Sequence, residues 1–129
     1  MLYAVLCYAD ENAVATWTKE EDDACMLRLA QVEDSMAAKG RLGPVVRLNR
    51  TTSATTLRKS SGEPMIIDGP FAETKEQFLG FYTVDCETLD EVIAFAKDLS
   101  VANPGLGGYE IRPVGVFHHN TITAGSGAT

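Results

Sequence analysis

Ile66-Ile67-Asp68-Gly69-Pro70-Phe71-Ala72-Glu73-Thr74-Lys75-Glu76 is an apolar run that ends abruptly in a carboxylate and a Gly-Pro turn. It reads as a strand emptying into a loop. Pro70 has no backbone N–H for a ladder, so the strand stops there, and Gly69 lets the backbone approach its neighbours closely. Asp68 then stands at the lip of a core, on a loop carried by a rigid strand, where chemistry is often placed. One reading makes Asp68 an acid/base or substrate-orienting carboxylate, with Glu73, Lys75 and Glu76 close by in sequence. The other makes it a turn-holding residue that accepts backbone hydrogen bonds, or the cap of a short helix opened by Pro70.

Working outward, residues 54–59 and 63–67 form a hairpin around Ser60-Ser61-Gly62, and this hairpin delivers Asp68. A further strand spans 78–85. Gly80 inside it weakens the strand and marks a close backbone approach, either by the Asp68 loop or by a ligand. Before the hairpin, 44–48 is a short strand. The opening run Leu2-Tyr3-Ala4-Val5-Leu6-Cys7-Tyr8 is apolar almost throughout, as expected of a central strand covered on both faces.

Two helices are announced by capping boxes, in which a threonine and the glutamate three residues later satisfy each other's orphan N–H groups. The first opens with Thr18-Lys19-Glu20-Glu21, buries a stripe of Cys25, Leu29, Val32 and Met36, and is closed by Gly40. Its acidic residues Glu20, Glu21, Asp22 and Asp23 suit the positive end of a helix dipole, so they mark a helix start and not a metal site. The second opens with Thr88-Leu89-Asp90-Glu91 and buries Leu89, Val92, Ile93, Ala96 and Leu99. Residues 9–17 have no clear period and read as a loop, with Trp17 packing at the helix start. After a loop over 103–108, the last strand covers 109–117, with Pro113 placing it at an edge. A flexible tail is expected from 118 to 129.

The order strand, helix, strand, hairpin, strand, helix, strand gives a ferredoxin-like split β-α-β arrangement in one α+β domain over 1–117. Its antiparallel sheet carries both helices on one face. Strands apolar on both sides need a second cover, which a homodimer closing two sheets into a barrel would supply.

The chain has 129 residues, 45% of them hydrophobic, and a net charge of −7, which argues against a nucleic-acid partner. Between Ser35 and Gly62 there is no Asp or Glu, yet Lys39, Arg41, Arg47, Arg50, Arg58 and Lys59 all fall there. This basic segment either draws an anionic small molecule to a site, or is solvated charge, or is charge that pairs with an acidic face of a second subunit. Cys7, Cys25 and Cys86 are widely spaced and read as small buried residues. No nucleotide loop, metal-ligand cluster or nucleophile elbow is present, so neither a metal nor another cofactor is expected. The N-terminal apolar run is too short for a signal peptide or a membrane span, and a cytoplasmic protein with no membrane contact is expected.

The string Asp68-Gly69-Pro70-Phe71-Ala72-Glu73-Thr74-Lys75-Glu76, followed by Leu79-Gly80-Phe81-Tyr82, Val84-Asp85 and Leu89-Asp90-Glu91-Val92, resembles the signature of the YCII-related family, in its DGPF branch. The likeness runs from the first strand through Arg112-Pro113-Val114. It implies a dimeric α+β barrel and a relationship to small lyases and to a dehydrochlorinase of a chlorinated hydroxyquinol. The family is credited with a His-Asp pair in its pocket. Asp68 matches the aspartate, whereas the only histidines here are His118 and His119, at the C-terminal end. The resulting expectation is a small lyase-like enzyme with Asp68 as catalytic acid/base. Tyr8 and Tyr82 would donate hydrogen bonds to a small anionic or phenolic substrate, with Gly69, Pro70, Phe71 and Lys75 beside it. The alternative implied by the resemblance is a non-catalytic small-molecule-binding or protein-interaction module linked to extracytoplasmic-function sigma factors.

Overall fold

The structure, a computed structural model, describes residues 1–120 and 122. Along the chain run β1 (Leu2–Ala9), α1 (Glu11–Val14), α2 (Lys19–Ala38), β2 (Leu42–Arg47), β3 (Thr55–Arg58), β4 (Met65–Asp68), β5 (Gln77–Asp85), α3 (Leu89–Ala102) and β6 (Gly107–Pro113). The main sheet is antiparallel and has the order β2-β5-β1-β6. This is the ferredoxin-like arrangement, with the hairpin β3-β4 inserted as a separate two-stranded sheet. Of the tail expected from 118 onward, residues 121 and 123–129 lie outside the described residues.

Alternation along β1 decides which side is the core. Tyr3 and Val5 are buried opposite Val84 and Tyr82 of β5 and lie under the helices. From α2 come Cys25, Leu29 and Met36, and from α3 Val92, Phe95, Ala96, Leu99 and Ala102. Each fully buried side chain of the Val5, Val92 and Leu99 kind contributes about 1.5–3 kcal/mol through removal of apolar surface from water. The stripe of α3 differs at its start from the expected one. Leu89, the first helical residue, is half exposed, and Phe95 fills the core instead, with its ring edge-on to Tyr82 at 5.6 Å between centroids.

The helix ends follow local chemistry. Thr18 and Glu21 complete their capping box, and Gly40, at φ 69°, follows the C-cap of α2. Only half of the second box forms. Thr88 accepts from the Glu91 N–H at 3.3 Å, but the Glu91 carboxylate takes the Arg41 guanidinium at 2.7 Å. A charge-assisted bond outcompetes the return contact to a backbone amide.

Residues 9–17, expected as a loop, contain the short helix α1, capped by Asp10 accepting from the Asn12 N–H. Its first residue, Glu11, is buried, and its carboxylate accepts from both the backbone N–H and the hydroxyl of Thr51. Thr51 opens the 3-10 turn that leads into β3, so this carboxylate ties α1 to the base of the hairpin. Gln77 completes the junction by accepting from the Glu11 N–H at 3.0 Å.

Gly80 has a different explanation from either one expected. With φ of 153°, it sits against β2, and an added Cβ would overlap the Val46 carbonyl. The close approach is therefore made by the neighbouring strand. Among the described residues, helices cover only one face of the sheet. On the other face Leu2, Ala4, Leu6 and Phe81 remain partly exposed, while Thr83 is buried and donates to the Pro44 carbonyl.

Candidate functional site

Along α2, Asp22, Met26, Leu29 and Glu33 recur at spacings of four, three and four, which sets them on one side of the helix. That side does not close fully on the sheet. It leaves a cavity of about 170 Å³ between α2, β2, β5 and β1. The floor is Cys7, Tyr82 and Tyr109, the rim carries Asp22, Glu33 and Arg47, and Trp17 forms a wall. A second cavity of about 150 Å³ adjoins it beneath the 104–108 loop and shares Cys7, Val14, Trp17, Leu79, Asn103 and Tyr109. The two form one cleft behind the sheet's helix face, with Trp17, Asn103 and Tyr109 at the waist.

Burial sets the chemistry of the floor. It pushes the Tyr109 phenol up to about 12 and that of Tyr82 well above the ordinary phenol range, where the negative charge of Glu33 raises it further. Both are neutral donors at pH 7. Among the described residues no protein group bonds the Tyr82 hydroxyl, so it can serve a ligand. Cys7 is pushed up to about 12 by burial, and burial likewise raises Cys25 and Cys86, so these free thiols are not nucleophiles at neutral pH. Glu33 is raised by partial burial and then by the adjacent Asp34. At the mouth, Arg47 reaches across from β2 to α2. It donates to the Met26 sulfur at 3.0 Å and lies 3.7 Å from an Asp22 carboxylate oxygen.

The residues expected from the sequence are divided between two places. Tyr82 is in the cleft. Tyr8 contributes to the wall of the second cavity, but its hydroxyl reaches Glu110 at 3.4 Å, and its ring packs against Phe78. Because Tyr8 follows Cys7 along β1, the two side chains leave opposite faces, so the Tyr8 and Tyr82 hydroxyls do not converge within one chain. Asp68 ends β4 and is exposed, paired in register with Thr55, and lines neither cavity. Gly69 extends the hairpin ladder by one bond, its N–H donating to the Ala54 carbonyl, and its own carbonyl accepts from the Thr56 hydroxyl. Pro70 follows at the surface; Phe71 lies under the Arg58 guanidinium at 4.6 Å, and Lys75 is exposed. Among the described residues no three His, Cys, Asp or Glu side chains gather as metal ligands, and no helix is long and apolar enough to cross a membrane.

Sequence reasoning missed Glu33, Asn103 and Tyr109, and it named Arg47 only as one of six cations in a basic segment that could draw an anion to a site. One signal was available: Glu33 lies four residues after Leu29 and three before Met36, a carboxylate interrupting the apolar stripe of a helix. Nothing local marked Tyr109 or Asn103: Tyr109 reaches the cleft through the pairing of β6 with β1, and Asn103, the C-cap of α3, lies against Cys25 of α2.

Fold and cleft together define an α+β protein of ferredoxin-like topology with a small-molecule-sized recess between helix and sheet. The YCII-related domain model matches residues 1–118, and the chain belongs to that family. It is also 56% identical over 117 residues, covering 91% of this chain and 94% of the other, to the uncharacterized protein R00369 of Rhizobium meliloti (strain 1021).

Proposed function

We propose that this protein binds a compact, partly aromatic small molecule in the cleft between α2 and the sheet, with the Tyr82 hydroxyl donating to it. The observation that carries this reading is a neutral, unpaired phenol at the floor of an otherwise mainly apolar recess, the usual composition of a ligand site. Each cavity is smaller than the roughly 300–1,000 Å³ of drug-sized sites, which limits the ligand to about one ring and its substituents. The test is a thermal-shift screen of small anionic and phenolic compounds on the parent and on Tyr82→Phe. A ligand at about a hundred times its Kd adds roughly 2.7 kcal/mol, several degrees for a domain of this size. Hits that shift both proteins equally would refute the role of Tyr82, and a screen with no hits would refute the binding reading.

The catalytic reading is a lyase- or dehydrochlorinase-like enzyme with Asp68 as acid/base. In favour of it, no described residue bonds the Asp68 carboxylate, which leaves it available. An acid/base role also needs the group to be desolvated, and a second copy could supply that burial. Leu57, Met65, Ile66 and Phe71 are all more than half exposed on or beside the hairpin, and Leu2, Leu6 and Phe81 are only partly covered on the open sheet face. Such a surface supports a homodimer. Ile66→Glu should then move the protein from dimer to monomer in sedimentation, and a monomeric parent would dispose of the idea. Asp68→Asn separates the readings: binding without turnover survives it, and acid/base turnover collapses. The string from Asp68 to Phe71 supports placement in the DGPF branch. Three free cysteines fit a reducing compartment, the cytoplasm.

A further inference from the structure

We infer that Arg47 is a carboxylate receptor at the mouth of the cleft, and that the ligand class is a small aromatic carboxylate, its ring inside and its anion on the guanidinium. This deepens the binding reading above and rests on it. Among the described residues Arg47 is the only cationic side chain lining the first cavity. Its present partners are poor ones. A thioether is a weak acceptor, and the Asp22 oxygen at 3.7 Å is beyond hydrogen-bond distance, so the planar fork of donors is under-used. A carboxylate would offer two parallel charge-assisted bonds, the geometry for which a guanidinium is preorganised.

The neighbouring cations do not compete for this role. Arg41 is engaged by Glu91 at 2.7 Å, Arg50 by Asn12 at 2.7 Å, and Arg58 by the face of Phe71. Within the basic segment, Arg47 is thus the cation that is placed at the cleft and weakly held. Asp22 becomes the competitor: its carboxylate occupies part of the space the ligand's anion needs and gives Arg47 up on binding. The Met26 sulfur contact lets the same guanidinium bridge β2 and α2 in the free protein and turn toward the ligand in the complex.

The test uses 4-hydroxybenzoate and its neutral isostere 4-hydroxybenzamide, read by calorimetry and by the fluorescence of Trp17, the sole tryptophan, which lines both cavities. The parent should bind the acid about tenfold or more tighter than the amide, as expected for a charge-assisted pair. Arg47→Met, which keeps the apolar stem over the cleft, should bring the acid down to the level of the amide and leave the amide unchanged. Asp22→Asn should tighten the acid several-fold without affecting the amide. Equal binding of acid and amide by the parent, or an acid preference that persists in Arg47→Met, would overturn the assignment and leave the binding reading intact. Weaker acid binding in Asp22→Asn would overturn it as well. Failure of both probes to bind a parent that scores hits in the wider screen would overturn this inference alone, whereas failure of both together with an empty screen would bring down the binding reading with it.

Discussion

Replacement of Glu11 by alanine should be among the most damaging changes made to this chain outside its apolar core. The carboxylate is only 8% exposed and accepts from the Thr51 backbone N–H, at 3.2 Å to the nearer oxygen, and from the Thr51 hydroxyl. A hydrogen bond to a charged group contributes roughly 1.5–3 kcal/mol, and truncation would leave a buried N–H and hydroxyl without their acceptor. Non-additivity within one contact pair limits the total, so we expect a loss of about 2–3 kcal/mol. With an unfolding entropy near 2.1 cal/mol/K per residue, this corresponds to a fall in Tm of roughly 7–11 °C for a chain of this length. The assay is a double-mutant cycle in urea with Glu11→Ala, Thr51→Val and the pair. A coupling energy of about 1 kcal/mol or more is expected, and a Glu11→Ala variant within about 0.5 kcal/mol of the parent would refute the assignment of this carboxylate as the tie between α1 and the hairpin.

Other expectations follow from single sites. Gly80→Ala should destabilise the protein by several kcal/mol, on the order of the larger core mutations, because the new methyl meets the Val46 carbonyl and the backbone sits at φ 153°; urea unfolding measures it. Glu33 has its carboxyl raised in the folded state by burial and then by Asp34, so it favours the fold below its unfolded pKa and loses that advantage as pH rises through its folded value. Glu33→Gln should accordingly match or exceed the parent in stability at pH 7, with the difference shrinking on acidification toward pH 4; a variant less stable at pH 7 would contradict this. Asp85 is held below the usual carboxylate range by the Met1 α-amino group at 2.8 Å, so its small contribution is present above the unfolded pKa and fades as pH falls through the lowered one. Asp85→Asn should flatten the acid limb of the stability profile at low salt and do little at high salt. Cys25 and Cys86 should react with a disulfide reagent at pH 8 only on unfolding and Cys7, half-buried at the floor of the cleft, only slowly in the native protein; fast native labelling of Cys7 would contradict its raised pKa.

How much of this was legible in the sequence depends on the range of the signal. The opening strand, both long helices and the hairpin are local, written in alternation, in capping residues and in the Ser60-Ser61-Gly62 turn, and each stands where its pattern places it. The site is not local. Asp68-Gly69-Pro70-Phe71 drew attention because its composition is unusual, yet its carboxylate stands at the surface of a hairpin that packs apart from the sheet. The cleft is assembled from α2 and from β1, β2, β5 and β6, strands that meet only through pairing between residues far apart in sequence. Gly80 shows the same limit: its oddity could be read, but the identity of its neighbour, Val46 of β2, is a fact of register. Glu91 illustrates competition, since a capping box cannot announce that an arginine fifty residues earlier will claim its glutamate.

The inserted hairpin also bears on how the sheet assembles. Strands β2 and β5 are partners, with Arg47 opposite Gly80, yet the whole β3-β4 arm lies between them in the chain. Because that arm closes on itself through the ladder from Thr55–Asp68 to Arg58–Met65, it brings the ends of the intervening segment toward each other before the long-range pairing has to form. Closure entropy rises only about 0.6 kcal/mol for each doubling of a flexible loop. Lengthening the tip near Ser60-Ser61-Gly62 should therefore leave the stability of the four-stranded sheet almost untouched, whereas unzipping the arm would slow the pairing of β2 with β5. The arm can thus change in length while the cleft, to whose lining it supplies no residue, keeps its shape.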